Sequence, residues 1–138
     1  MKRGFTLIEL MIVVVILGIL ASIVVPSYLG REEEARRTAA KIQIRNFESA
    51  LAMFKLDNGF YLATEQGLIA LVEKPATGRV PQNWKQYLPR IPKDPWGNDY
   101  VYLCPGMEDR DYDIISFGQD GEEGGEGNNA DIESREMD

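Results

Sequence analysis

The sequence predicts an α+β fold in which one long N-terminal helix, transmembrane and then amphipathic, packs on a small antiparallel β-sheet with an irregular loop region. Three observations carry this. Residues 5–25 are almost wholly apolar, apolar residues recur at helical spacing from there to about Asn58, and two short alternating segments follow a proline-rich stretch. The chain divides accordingly into 1–4, 5–25, 26–58 and 59–138.

Residues 5–25 (FTLIELMIVVVILGILASIVV) carry one ionisable side chain, Glu9. As a helix the run spans about 31 Å, close to a bilayer core of about 30 Å. A secretory signal has a shorter apolar region and then a small-x-small cleavage site. Here Ala21-Ser22-Ile23 puts a bulky residue in that place, and Val25-Pro26-Ser27 is the alternative site. A carboxylate within a span costs about 2.5–3.5 kcal/mol on insertion scales. Glu9 has no basic residue on its face of the span. It either reaches water near the interface or finds a partner in another copy of the chain. Lys2 and Arg3 precede the span, while Arg31, Arg36, Arg37, Lys41 and Arg45 follow it. Counting basic residues therefore leaves the orientation open.

Beyond Pro26 and Gly30 no loop interrupts the pattern. Ala35, Ala39 and Ile42, then Ile44, Phe47, Leu51 and Phe54, fall at steps of three and four, a helical apolar stripe. Arg37, Lys41, Arg45, Glu48 and Lys55 occupy the other face. Asp57-Asn58-Gly59 supplies a stop, because Asn or Gly takes the left-handed conformation that ends helices. One helix from Phe5 to Asn58 measures about 80 Å.

In the remainder, Thr64 is expected to cap a short helix, TEQGLIALVEK, whose apolar face is Leu68, Leu71 and Val72. Residues 75–99 hold five prolines together with Trp84 and Trp96, an irregular loop that the tryptophans pin to the core. Tyr100–Cys104 and Tyr112–Phe117 alternate as strands do, with Pro105-Gly106 as the turn of an antiparallel hairpin. Cys104 is read as a small hydrophobe in or beside the strand.

Charge is uneven. The 138 residues carry a net charge of −7, but residues 31–107 are net +2 and residues 108–138 net −10. An acidic chain does not neutralise phosphates, which argues against nucleic-acid binding. The absence of His removes the imidazole base and ligand, and a single Cys removes internal disulfides and thiolate zinc sites. Most enzyme chemistries are thereby disfavoured. Residues 116–132 read SFGQDGEEGGEGNNADI. Asp120, Glu122, Glu123, Glu126, Asn128, Asn129 and Asp131 alternate with glycines that let the backbone bend and aim carbonyls inward. Hard oxygen ligands on a flexible loop suit calcium. A solvated acidic tail is the alternative; Ile132, placed to re-enter the core, favours the metal loop.

The opening MKRGFTLIELMIVVVILGILASIVVPSY resembles the class III signal of type IV pilins and pseudopilins: a basic leader ending in Gly4, then Phe5, then Glu9 as the fifth residue of the mature chain. TEQGLIALV (64–72), IPKDPWGNDYVY (91–102) and the SFGQDGEEGGEGNNADI segment resemble the major pseudopilins of type II secretion systems. The resemblance implies a type IV pilin-like fold and a structural, non-enzymatic role. It implies cleavage between Gly4 and Phe5 by a prepilin peptidase and N-methylation of Phe5. It places the helix in the bacterial inner membrane as a single pass, N-terminus cytoplasmic and globular part periplasmic. Glu9 then meets the Phe5 amine of a neighbouring subunit as the chain polymerises into a pseudopilus. Minor pseudopilins and an inner-membrane assembly platform are the implied partners, and export of folded proteins across the outer membrane the implied task. Calcium is the implied cofactor, with Asp120 and Asp131 giving carboxylates, Phe117 and Glu122 carbonyls, and Gly125 and Asn128 completing the set. A type IV pilin, a minor pseudopilin and a non-polymerising calcium-binding anchor protein are the alternatives. Tyr61-Leu62-Ala63 and Ser134-Arg135 depart from the family pattern, which predicts a looser turn before TEQGL and a weaker anchor after Ile132.

Overall fold

The computed structural model describes residues 3–137. Met1 and Lys2 of the leader, and Asp138, lie outside the described residues. One helix, α1, runs Leu7–Asn58 without interruption at Pro26 or Gly30. The chain divides into two compact units, Met1–Ala35 and Arg36–Asp138.

In the first unit α1 is almost wholly apolar and exposed from Leu7 to Val25. Leu7, Met11, Val14, Leu17 and Leu20 are all more than half exposed. The Ser22 hydroxyl donates to the Ile19 carbonyl at 2.6 Å, which satisfies a polar group that lipid could not.

In the second unit, α1 contributes Ala40, Ile44, Phe47, Ala50, Leu51 and Phe54 to the core, all at most 1% exposed. The stripe is thus shifted from its expected start. Ala35, Ala39 and Ile42 face outward, and Ile42 is 58% exposed. Ala40 and Ile44, on either side of Ile42 in the chain, are fully buried, so Ile42 lies on the opposite side of the same turn. Phe47 meets Tyr100 edge-on at 5.1 Å, and Phe54 meets Phe60 and Tyr87 in the same way. Phe47→Ala should destabilise this unit by about 3–5 kcal/mol. The check is a urea titration followed by the fluorescence of Trp84 and Trp96, both packed against the core; a change below about 1 kcal/mol would contradict the packing. The helix ends as expected. Gly59 sits at φ 85° and its N–H bonds to the Lys55 carbonyl. Tyr87 OH donates to Asp57 beside the stop, with Lys85 as a second partner at 3.2 Å. These contacts hold the Asp57 carboxyl below its usual range, the Tyr87 hydrogen bond foremost. Burial first, then Asp57, pushes the Tyr87 hydroxyl up to about 12.

The TEQGL segment is not an α-helix. Only a 3₁₀ turn, Leu68–Leu71, forms, because Gly67 at φ 65° reverses the chain before it. Thr64 caps nothing there: its hydroxyl donates to the Cys104 carbonyl and accepts from the Cys104 N–H. Gln66 takes over local bonding, accepting from Ala63 N–H. The departure at residues 61–63 does not loosen this turn, since Leu62 is fully buried and its carbonyl accepts from Tyr102 OH at 2.7 Å.

The proline-rich loop is pinned as expected. The Trp84 indole donates to the Ala70 carbonyl, and the Tyr87 and Leu88 N–H groups both bond to the Leu71 carbonyl. Asp94, 4% exposed, accepts from the Trp96 and Asn98 N–H groups and from the Ser116 hydroxyl.

The sheet has three antiparallel strands in the order β1 (Val101–Leu103), β2 (Asp113–Ser116) and β3 (Ile132–Glu133). Tyr102 pairs with Ile114, and Ile115 with Glu133. The predicted hairpin is β1–β2, but Pro105-Gly106 alone does not make its turn. The chain runs on to a tighter reversal in which Arg110 N–H bonds to the Met107 carbonyl, with Glu108 and Asp109 at φ 55° and 61°. Buried Asp113 supports it by accepting from Met107 N–H and pairing with Arg110. The end of the chain is anchored despite its departure from the family pattern. Ser134 is fully buried and its hydroxyl accepts from Ile114 N–H at 3.0 Å.

Candidate functional site: the helix tip and the acidic loop

Gly4, Phe5 and Thr6 precede α1, and Phe5 is 91% exposed. Thr6 is the cap. Its N–H and hydroxyl both donate to Glu9 Oε2, at 2.8 and 3.0 Å, and its hydroxyl oxygen accepts from the Glu9 N–H at 3.3 Å. This is a reciprocal capping box, which satisfies backbone donors at the helix start. The Thr-x-x-Glu spacing is itself a local signal of this box, whereas desolvation alone points Glu9 to water or to another copy. The structure gives Glu9 a partner in its own chain. Both contacts use Oε2; Oε1 carries neither. Cleavage after Gly4 would leave the box intact, since the N–H involved belongs to Thr6.

The acidic segment folds back as a closed loop. Gly118 stands at φ 71°, and its N–H bonds to the Ser116 hydroxyl that Asp94 holds. Gln119 N–H bonds across the loop to the Asn128 carbonyl, and Gly124 N–H to Asp131 Oδ2 at 2.9 Å. A short 3₁₀ turn, Gly127–Asn129, leads to Ile132, which is 2% exposed and returns the chain to the core as expected.

The six predicted ligand positions differ in their surroundings. Phe117 and Asp131 are half-buried, while Asp120, Glu122, Gly125 and Asn128 are exposed. Asp120 Oδ1 accepts from the Glu122 N–H. The Asn128 carbonyl already accepts from Gln119 and from Arg37. Gly125 lets the Asn129 backbone approach: a Cβ there would stand 2.6 Å from the Asn129 carbonyl oxygen. Among the described residues, no three His, Cys, Asp or Glu side chains gather as a metal cluster. Asp131 Oδ1, however, is a buried carboxylate oxygen without a hydrogen-bond partner. A buried anionic oxygen without a donor is costly. A hard cation drawing on it and on loop carbonyls is the chemistry that satisfies it, so these residues fit calcium. Sequence reasoning missed Thr6, Arg37, Asp94 and Ser116, and of these only Thr6 had a local signal.

Comparisons with known proteins bear on both features. Residues 27–135 match the family described as type II secretion system (T2SS), protein G, and residues 1–25 match the prokaryotic N-terminal methylation motif. A type II secretion system core protein G from Pseudomonas aeruginosa is 53% identical over 133 residues, covering 95% of this chain and 93% of its own length. One from Vibrio cholerae is 56% identical over 133 residues, covering 95% and 90%. The crystal structure of the major pseudopilin from the type 2 secretion system of enterohaemorrhagic Escherichia coli superposes with a TM-score of 0.71 at 41% identity, covering 80% of this chain and 91% of that one. The fold is thus the α+β, pilin-like fold that the sequence predicts. The family match covers residues 27–135 and the relatives are more than half identical over nearly the whole chain, so the chain belongs to the type II secretion system protein G family.

Proposed function

We propose that this chain is a structural, non-enzymatic subunit of the type II secretion pseudopilus, a filament whose growth drives folded proteins across the outer membrane. The observation that carries this is the stretch of α1 from Leu7 to Val25, apolar on every side and exposed, with one carboxylate near its tip. In lipid the segment spans the inner membrane once, N-terminus in the cytoplasm and the sheet in the periplasm. On extraction it exchanges lipid for the same segments of neighbouring copies. Contacts that repeat without closing make a filament. A prepilin peptidase cuts between Gly4 and Phe5 and the new Phe5 amine is methylated. That amine meets Glu9 of a neighbour, while the Thr6 box holds the carboxylate in place beforehand. Minor pseudopilins and the inner-membrane assembly platform are the other partners.

In this reading the acidic loop is a calcium site. Calcium supplies a charge that draws carboxylate and carbonyl oxygens together. Asp131 would hold it from the buried side and Asp120 from the exposed side, with carbonyls of Phe117, Glu122 and Gly125 available; the Asn128 carbonyl is engaged elsewhere. The loop would then set β3 against β2.

Mass spectrometry of the protein from secreting cells tests the processing on which assembly depends. The expected mature chain begins at Phe5 and carries one N-methyl group. Met1–Gly4 retained in cells that secrete normally would overturn the proposal.

A further inference from the structure

The return leg of the acidic loop is gripped by a helix residue that the calcium reading leaves unused. Arg37 is the second residue of the folded unit, three positions ahead of Ala40, the first apolar core residue of α1. Sequence patterning puts it on the solvent face. In the structure it is half-buried, and its Nη1 donates to the Ala130 carbonyl at 2.8 Å and to the Asn128 carbonyl at 3.4 Å, 93 and 91 residues away along the chain.

These carbonyls crowd together. A Cβ on Gly118 would lie 2.9 Å from the Ala130 oxygen and 3.3 Å from those of Asn128 and Asn129. Oxygens aimed at a common region repel unless a donor stands among them. A guanidinium suits this place, since it is always charged and offers several N–H groups in a fixed plane. The opposite leg is fixed separately through Gly118, Ser116 and Asp94.

We infer that Arg37 is a positioning residue: a built-in cation that gathers the Asn128 and Ala130 carbonyls, seats the return leg of the acidic loop on α1, and ties loop order to the first helical turn of the folded unit. The latch stands on the contacts above; its effect on calcium rests on the calcium site proposed for this loop. Arg37 and the ion would order the same segment from two sides. Whichever acts first lowers the entropy cost of the other, so the two are coupled.

The test is amide hydrogen exchange on the full-length protein in detergent, in EGTA and across a calcium chloride titration, for wild type, Arg37→Gln and Arg37→Lys. In EGTA, peptides from 118–131 should exchange about tenfold faster in Arg37→Gln, the loss expected for a charge-assisted hydrogen bond. Arg37→Lys should fall between, and peptides from 44–54 should be unchanged. The calcium midpoint of Arg37→Gln should rise about tenfold by the same coupling. Wild-type exchange of 118–131 in Arg37→Gln overturns the inference. So does fast exchange that spreads through 44–54, which would make Arg37 a general stabiliser, and so does a lysine variant no better than glutamine. If calcium leaves wild-type exchange unchanged, the calcium reading fails while the comparison in EGTA still decides the latch.

Discussion

Glu9→Ala is expected to abolish filament formation and secretion while the folded unit from Arg36 onward keeps its stability. Two opposing terms meet at this residue. As a monomer in lipid, the carboxylate costs about 2.5–3.5 kcal/mol, offset in part by the two Thr6 contacts to Oε2. Alanine removes that cost, so the variant should insert at least as well as the wild type. In the filament the balance reverses. A neighbour's N-terminal amine buried among apolar helices would lose its counter-charge, and an uncompensated buried charge costs about 3–5 kcal/mol. Repeated at every subunit, such a loss stops growth. Glu9→Gln separates cap from charge, since its amide oxygen can still accept from Thr6; it too should fail to assemble. Electron microscopy of cells overproducing the chain reads the outcome, and abundant filaments from either variant would end the proposed role of Glu9.

Asp131→Ala is expected to erase the calcium response. The residue does two jobs: Oδ2 accepts from Gly124 N–H, and Oδ1 is the buried oxygen without a donor. A ligand at a hundred times its Kd stabilises by about 2.7 kcal/mol. For a folded unit of this size, that corresponds to a melting-temperature rise of about 10–20 °C. Wild type should show such a rise between EGTA and calcium chloride, and Asp131→Ala should show none. A variant that still gains several degrees would move the ion away from Asp131.

How much of this could be read from the chain depends on distance along it. The stop at Gly59, the β1–β2 pairing, the pinning by Trp84 and the re-entry at Ile132 follow from local residue chemistry, and the structure bears them out. The segment after Thr64 misled because its apolar spacing is helical while Gly67 takes a conformation that spacing does not reveal. Ala35, Ala39 and Ile42 are periodic among themselves, but the two-residue step from Ile42 to Ile44 turns the helix by about 200°, so they lie on a different face from the buried Ile44, Phe47, Leu51 and Phe54. β3 has two residues, too few to show alternation. The Ser116 bond to Asp94 spans 22 residues and the Arg37 bond to Ala130 spans 93. No spacing rule connects such pairs; only the folded core brings them together.

The reversal at Glu108 and Asp109 uses a backbone shape that glycine or asparagine adopts most easily, yet two acids occupy it. Asp109 is of a type that visits this region, but for Glu108 left-handed geometry costs about 1–2 kcal/mol. Asp113 and Arg110 beneath it are the contacts that make this tolerable. The bend between β1 and β2 therefore spends some folding energy on a side chain that glycine would lack: Glu108 reaches across to Arg135, past β3, at 3.5 Å.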